Sequence, residues 1–154
     1  MKILVLSDSH GEQRYMEQAV FQEGPDYILH LGDKQKDGLT LREKFCRIPF
    51  LGVPGNCDYA PLDPSVAVTE LNGVRFFVTH GHVHGVKTGL MRLCYAAEEA
   101  GAQVAVYGHT HIACVQNVDG LWLLNPGTAG GGKPSYGVVE ISNKQEISCR
   151  VEYL

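Results

Sequence analysis

Each of five short apolar runs in this 154-residue chain ends in side chains able to bind a cation, with a glycine beside them. These side chains are two carboxylates, one amide and four imidazoles: Asp8, His10, Asp33, Asn56, His80, His109 and His111. Short apolar runs of this kind favour buried strands, and the carboxyl ends of parallel strands meet at one edge of a sheet. The sequence therefore predicts that these groups converge on one edge of an α/β domain.

The first part of the chain alternates predicted strands and helices. We expect strands over residues 2–7 and 26–33 and a third strand that ends at Gly55, with helices over residues 12–24 and 38–46. A strand–helix–strand order requires right-handed crossovers and leaves the strands parallel. This part of the chain therefore predicts a parallel sheet.

The rest of the chain carries the turn signals of antiparallel hairpins. Asn72-Gly73 and Asp119-Gly120 each join two apolar runs, and a further turn is expected around Asn143-Lys144. A helix is predicted over residues 87–100, with Gly101 beyond its end. These signals predict that antiparallel strands accompany the parallel ones.

Length, charge and cysteine usage restrict the class of protein. A chain of this length suits a single domain over residues 1–154, an α/β fold with two mixed β-sheets packed face to face and helices outside. The formal net charge of −4 argues against extended nucleic acid as a partner. Five cysteines without a CxxC pair fit reduced thiols. No apolar run approaches ~18 residues, so we expect a cytoplasmic protein that enters no membrane.

The seven side chains at the strand ends are too many donors for one tetrahedral ion. Two ions that share a carboxylate would use them all. Nitrogen and oxygen donors favour Mn, Fe, Co, Ni or Zn over Ca, and we take Mn as the first choice. Two divalent ions bring a charge of +4 and Asp8 with Asp33 brings −2, which leaves +2 for a hydroxide and an anionic phosphate ester. The residues thus predict metal-assisted hydrolysis of a phosphate ester.

His109 and His111 follow the run that ends at Tyr107, with Thr110 between them. Alternate residues of a strand face the same side. On that geometry we expect both imidazoles to face the site and Thr110 to turn away.

Five motifs in order, SDSHG, LHLGD, GNCD, THGH and GHTH, resemble those of the calcineurin-like metallophosphoesterases. The chain is most similar to their small bacterial and archaeal phosphodiesterase branch, which NPGT (residues 125–128) also fits. The likeness runs from residue 7 to residue 128. It implies a four-layer α/β/β/α sandwich and a phosphodiesterase in which a hydroxide that bridges two metal ions attacks in line.

The resemblance also implies which residues hold each ion. One ion would be held by Asp8, His10, Asp33 and His111. The other would be held by Asp33, Asn56, His80 and His109. Asp33 then bridges the two ions, and Asp33 and Asn56 count as catalytic residues as well as ligands.

The chain departs from the larger members of the family at Cys57. Those members have histidine at this position, in a Gly-Asn-His motif, and use it to protonate the leaving group. The small branch shares the change. A thiol is a poor substitute for an imidazolium at neutral pH, so His82 or a metal-bound water is the candidate acid instead. Cys57 and Asp58 are expected to lie behind the ligands, where Asp58 orients its neighbours.

Two other functions stay open. One is a catalytically silent scaffold of the same fold, as in a eukaryotic retromer subunit that resembles these enzymes. The other is a metal-dependent nuclease that acts on a dinucleotide or on a short end of a nucleic-acid strand. The complete ligand set argues against loss of metal. Trp122 and Leu123 suit either a dimer surface or the core, so a homo-oligomer is also open. His30 is expected to pack within its strand and His84 to lie in a solvated loop.

Overall fold

A computed structural model describes residues 1–59 and 63–154, and in these residues the chain forms ten strands and three helices. The helices are α1 (Gln13–Glu23), α2 (Gln35–Lys44) and α3 (Met91–Glu99). The strands are β1 (Lys2–Leu6), β2 (Tyr27–His30), β3 (Phe50–Gly52), β4 (Val66–Leu71), β5 (Val74–Thr79), β6 (Val104–Val106), β7 (Cys114–Val118), β8 (Leu121–Asn125), β9 (Ser135–Ile141) and β10 (Ile147–Tyr153). A 3-10 turn, His82–His84, precedes α3. The predicted order of elements is confirmed, although β3 and α3 are shorter than expected.

The strands form two mixed five-stranded sheets. The first has the order β10-β9-β1-β2-β3, in which β1, β2 and β3 are parallel. The second has the order β4-β5-β6-β8-β7, in which β5, β6 and β8 are parallel. The remaining pairs, β10–β9 and β9–β1 in the first sheet and β4–β5 and β8–β7 in the second, are antiparallel. Each sheet therefore presents three parallel carboxyl ends, and the polar side chains lie just beyond them.

The two sheets pack face to face around a buried apolar layer. Alternation along β1 sends Ile3 and Val5 into this central layer and Leu4 and Leu6 to the opposite face. α1 and α2 cover that outer face, and α3 covers the outer face of the second sheet, where Leu93 is fully buried. The result confirms the expected four-layer α/β/β/α sandwich.

Of the two residues expected at either a dimer surface or the core, Leu123 is buried in the core and Trp122 is partly buried against it. Trp122 packs against the layer between the sheets, and Leu123 is buried beneath α3. The expectation for His84 is wrong, because its ring is half-buried and stands edge-on against Phe77 with ring centroids 5.4 Å apart. Among the described residues, no helix combines the length and apolar character needed to cross a membrane.

The predicted hairpin turns have the backbone geometry that their residues favour. Asn72 and Gly73 have φ angles of 50° and 78°, and Asp119 and Gly120 have φ angles of 50° and 95°. Two positive φ values in a two-residue loop define a turn that matches the twist of the strands. Gly101, with a φ of 65°, follows α3 in the left-handed region, as predicted.

His30 ends β2 and is fully buried, as a packing residue would be. Its Nδ1 accepts the N–H of Gly32 at 3.3 Å, and its ring stacks over Phe50 with centroids 6.5 Å apart. Among the described residues its Nε2 has no hydrogen-bond partner. Burial lowers the pKa of His30 from 6.5 to about 4, so the folded protein holds this imidazole neutral.

Acid should destabilise the fold through His30. The unfolded chain binds a proton near pH 6.5 and the folded chain only near pH 4, so this contribution to stability is complete above pH 6.5 and is lost as pH falls towards 4. At pH 5 we expect His30 to lower the free energy of unfolding by about 2 kcal/mol relative to pH 7. Urea unfolding of metal-free protein at both pH values measures it. His30→Leu should lose correspondingly less stability on acidification, and an equal loss would contradict the assignment.

Candidate metal centre

All seven side chains that end the apolar runs meet at one edge of the two sheets. Donor atoms within 4.8 Å of one another form two groups. One group is Asp8, His10, Asp33 and His111, and the other is Asp33, His80 and His109. Asp33 belongs to both. Asn56 joins the second group, because its Oδ1 lies 3.1 Å from His80 Nε2.

The buried carboxylates face imidazole nitrogens at short distances. Asp8 Oδ1 lies 3.0 Å from His111 Nε2, and Asp33 Oδ1 lies 3.4 Å from His80 Nε2. Asp8 is fully buried, and although His111 Nε2 lies close to its Oδ1, no group among the described residues makes a hydrogen bond of good geometry to that oxygen. A buried carboxylate oxygen without a partner is costly unless a cation satisfies it. Asp8 therefore fits a metal ligand.

His80 gives a second indication of a cation. Its Nδ1 lies 2.7 Å from the carbonyl oxygen of Leu31, which only accepts hydrogen bonds, so Nδ1 carries the proton. When His80 is neutral, the lone pair of its Nε2 points towards Asn56 Oδ1, which is also an acceptor. Two acceptors 3.1 Å apart repel each other unless a positive ion lies between or beside them. The donor set thus fits divalent transition metals.

The backbone at the site is left-handed at five of the seven positions. The φ angles are 55° at Asp8, 46° at His10, 55° at Asp33, 67° at His109 and 58° at His111. Residues other than glycine adopt this region at a cost, and Asp, Asn and His do so more readily than most. Nine such residues occur in the described chain, and five of them are candidate ligands. Backbone strain is therefore concentrated where the donors converge.

The strand geometry predicted for His109 and His111 is wrong. β6 ends at Val106, and both histidines lie beyond it in the left-handed region. Each therefore turns its imidazole back to the site through a local bend and not through strand alternation. Thr110 does face away, since its Oγ1 accepts the Asn125 side-chain amide at 2.9 Å.

Asp58 binds the backbone of two loops at once. Its carboxylate accepts the N–H groups of Asp33 (3.0 Å), Lys34 (3.0 Å), Gln35 (2.7 Å) and Gly55 (2.8 Å). One carboxylate thus fixes the loop that carries Asp33 to the loop that carries Asn56. This geometry agrees with the orienting role predicted for Asp58.

Cys57 lies against Asp33. Its backbone N–H donates to Asp33 Oδ1 at 2.9 Å. Burial alone would raise the pKa of Asp33, but the hydrogen bond from Cys57 and the nearby His80 lower it overall. The pKa of the Cys57 thiol is raised, first by its hydrogen bond to Asp33. Asp33 is therefore a carboxylate near neutral pH while Cys57 remains a neutral thiol.

Gly55 lies where the two loops touch. A Cβ at Gly55 would overlap Asp33 Oδ1 and lie 2.5 Å from the Asp33 backbone nitrogen. A Cβ at Gly32 would meet the backbone of Gly55 and Pro54 in the same way. Only glycine at both positions allows this approach, which explains the glycines that directly precede Asp33 and Asn56.

Burial also favours the neutral form of two imidazoles, His109 in the second group and His82 beside that group. It is the first cause of the lowered pKa of His109, followed by the positive charge of Lys87. It likewise lowers the pKa of His82, whose ring centroid lies 5.5 Å from that of His80 and 6.2 Å from that of His109. Neutral imidazoles of this kind can donate a lone pair to a metal.

Two further residues that support the site lie at or beyond the end of β8. The side-chain amide of Asn125 donates to the Gly108 carbonyl at 3.0 Å as well as to Thr110, and Thr128 Oγ1 donates to the Asp8 carbonyl at 2.8 Å. Both residues belong to the NPGT motif. They hold the loops of His109 and Asp8 in place.

Asp37 is a supporting residue that the sequence does not reveal. It lies in the first turn of α2, and its Oδ2 accepts the Ser9 hydroxyl at 2.8 Å and the Gly11 N–H at 2.7 Å. These two residues flank His10. Neither motif nor spacing marks Asp37, because a carboxylate in the first turn of a helix is common on surfaces.

Replacing Asp37 by Ala should loosen the segment that carries His10. Loss of partners behind metal ligands typically costs 10- to 100-fold in metal affinity, so we expect a decrease of about tenfold or more. Calorimetric titration of Mn²⁺ into metal-free protein measures it. Asp63→Ala is the matched control, because within the described residues Asp63 accepts a hydrogen bond only from the Gln35 side chain. Unchanged affinity in Asp37→Ala would show that the contact is dispensable.

Comparisons with known proteins agree with this geometry. A family model for the calcineurin-like phosphoesterase superfamily domain matches residues 1–144. The probable metallophosphoesterase YsnB of Bacillus subtilis is 35% identical over 130 residues, which cover 83% of this chain and 75% of that protein. Phosphodiesterase MJ0936 of Methanocaldococcus jannaschii is 25% identical over 166 residues, which cover 94% of this chain and 96% of that protein.

A solved structure of Vps29 from Entamoeba histolytica, complexed with Zn²⁺, shares the fold. Its TM-score is 0.76 at 19% identity, with 99% of each chain covered. At that identity the likeness concerns the fold alone. The family model, the bacterial relative and the clustered donors together show that the chain belongs to the calcineurin-like phosphoesterase superfamily.

Proposed function

We propose that this metal-dependent phosphoesterase binds two divalent ions and hydrolyses small phosphate diesters. The observation that carries the proposal is the position of Asp33, which belongs to both groups of donors. A carboxylate has two oxygens and can serve one ion with each. We assign Asp8, His10, Asp33 and His111 to one ion, and Asp33, Asn56, His80 and His109 to the other. Manganese is the first choice of metal.

Bound ions would act as Lewis acids on the phosphate oxygens and would lower the pKa of a metal-bound water. The chain's own residues set the geometry. Asp8 and Asp33 contribute negative charge from a buried position, and Leu31 fixes the tautomer of His80. Asp58 holds the loops of Asp33 and Asn56 at a fixed separation. The fixed loops reduce the reorganisation needed when a phosphate binds.

The class of substrate follows from the relatives and from charge. MJ0936 is named a phosphodiesterase, and the formal net charge of −4 disfavours a long nucleic-acid groove. A small diester carries a single negative charge, which two ions and two carboxylates can accommodate.

Three further properties of the protein stay predictions: a cytoplasmic location, a single domain over residues 1–154 and a homo-oligomer.

His82 is our candidate for the group that assists the leaving alcohol, because its ring borders both His80 and His109. His82→Ala should then slow a diester with a poor leaving group, such as phenol, about tenfold more than one that releases p-nitrophenol. Steady-state rates on both diesters measure the ratio. Equal losses on the two substrates would exclude His82 as the acid.

The direct test is hydrolysis of bis(p-nitrophenyl) phosphate by metal-stripped protein after addition of Mn²⁺, Ni²⁺ or Mg²⁺. Turnover that depends on added metal supports the proposal. Asn56→Ala should lower it strongly, while Asn117→Ala, an exposed asparagine in β7, should not. No turnover with any of the metals would contradict the enzymatic function.

The scaffold function remains the second candidate, because the fold is shared with Vps29. The site argues against it. Asp8 Oδ1 is buried without a hydrogen-bond partner among the described residues, and a scaffold that had lost its metal would gain stability from replacing such a group. Tight metal binding without turnover on any phosphodiester would favour the scaffold.

A further inference from the structure

A groove lies between the segment after β6, which also carries His109 and His111, and the segment that leads into α3. Its volume is about 380 Å³. The lining residues that matter here are Val86, Lys87, Leu90, Tyr107, Thr110 and Ile112. This volume lies at the low end of small-molecule sites, so the groove has room for one ring system or a short alkyl chain.

Both walls of the groove are continuous with the segments that carry the metal ligands. On one wall, Thr110 lies between His109 and His111. On the other, Val86 packs on Gly81, where an added Cβ would lie 2.8 Å from Val86 Cγ2. Gly81 directly follows His80. The groove is therefore built from residues that are next, or nearly next, in the chain to the metal ligands.

The walls are apolar and offer few free hydrogen-bonding groups. Val86 and Tyr107 are 5% and 3% exposed, and form the floor. Ile112 is 70% exposed, although it is a large apolar side chain at the rim. The Thr110 hydroxyl is already bonded to the Asn125 amide and to the Ile112 N–H. Such a surface gains from burying an apolar group.

Of the described residues that line the groove, Lys87 is the only charged one. Lys87 is exposed and directly follows Val86, whose side chain packs on Gly81 beside His80. The positive charge of Lys87 favours an anion at the metal centre and disfavours a cationic group in the groove. The ligand that fits both features is an anionic phosphate bearing an uncharged, apolar substituent.

We propose that this groove receives an aryl or alkyl ester group of the phosphodiester whose phosphate lies at the metal centre. The proposal rests on the proposed function for the position of the phosphate. Ile112 and Leu90 are then residues that determine specificity, from opposite walls. The preferred substrates are diesters with at least one compact apolar group, in contrast to diesters of small polar alcohols.

The test compares two diesters that differ only in the apolar character of their ester groups, diphenyl phosphate and dimethyl phosphate. Diphenyl phosphate has a phenyl group for the groove whichever way it binds. We expect Mn²⁺-loaded protein to bind diphenyl phosphate at least about tenfold more tightly, as a hydrophobic pocket does for a larger apolar group. Calorimetric titration measures both affinities, and inhibition of bis(p-nitrophenyl) phosphate hydrolysis provides a second readout.

Ile112→Ser and Leu90→Ala should each reduce this preference by about threefold or more and leave the affinity for dimethyl phosphate unchanged. Ile112 is mostly exposed, so its replacement should not disturb folding. Val83→Ser is the matched control, because Val83 is 50% exposed near the centre but does not line the groove. An unchanged preference in both groove variants, or no preference in the wild type, would overturn the proposal.

The two proposals fail in different ways. Protein that hydrolyses no diester contradicts the proposed function, and calorimetry with diphenyl phosphate then still reports on the groove. Protein that hydrolyses both kinds of diester equally well, with equal affinities, keeps the proposed function and contradicts the groove.

Discussion

Asp33→Asn is expected to lower kcat/KM for a phosphodiester by about a thousandfold or more, because the group shared by both sets of donors loses its charge. An amide keeps the size of the side chain and can still accept the Cys57 N–H. It supplies one neutral oxygen where the carboxylate supplied two charged ones. The fold should therefore persist while binding of at least one ion fails.

Steady-state kinetics with Mn²⁺ in excess measure the loss, and urea unfolding checks that the variant is folded. Asp26→Asn is the matched control, because Asp26 accepts the backbone N–H of Lys2 at 2.7 Å, at the start of β1 and away from the centre. The control should retain full activity. If folded Asp33→Asn retains more than about a tenth of the activity, Asp33 does not bridge two catalytic ions.

Asp58→Ala is expected to cost about 2–4 kcal/mol of stability, since four backbone N–H groups lose a charged acceptor. The loss frees the loop of Asp33 from the loop of Asn56, so metal affinity should fall as well, by about 10- to 100-fold. Urea unfolding of metal-free protein separates the first effect from the second. Asp58→Asn should be less severe, because its amide oxygen still accepts some of the bonds.

The matched control for Asp58 is Asp26→Ala, which removes a carboxylate that accepts one backbone N–H, that of Lys2, in the part of the chain that the structure describes. Its cost should stay near 1 kcal/mol. A cost for Asp58→Ala no larger than that of the control would show that water replaces the carboxylate and that the two loops do not depend on it.

The convergence of the seven donors could be predicted from sequence. Alternating apolar residues identify the strands, and the strand–helix–strand order makes neighbouring strands parallel. Ile3 and Val5 alternate with Leu4 and Leu6, and this alternation identifies a strand between two apolar layers. Once the parallel strands are assigned, their carboxyl ends must share an edge. The division of the donors between two ions came from the family resemblance and not from spacing.

The features of the site that the sequence does not predict depend on contacts between residues that are far apart in the chain. The left-handed backbone of His109 and His111 has no local signal, since only tertiary contacts hold a residue in that region. Asp37 acts across 26 positions on Gly11, and nothing in α2 marks it. The half-buried position of His84 likewise depends on Phe77, a residue of a neighbouring strand.

The central claim is that two ions are held by seven residues with His109 and His111 on different ions. The most direct measurement is the number of Mn²⁺ ions bound per chain in the wild type, His109→Ala and His111→Ala. We predict two ions for the wild type and, for each variant, fewer than two but more than zero, since each histidine serves a single ion. A wild type that binds one ion or none, or variants that both bind as many ions as the wild type, would contradict the account.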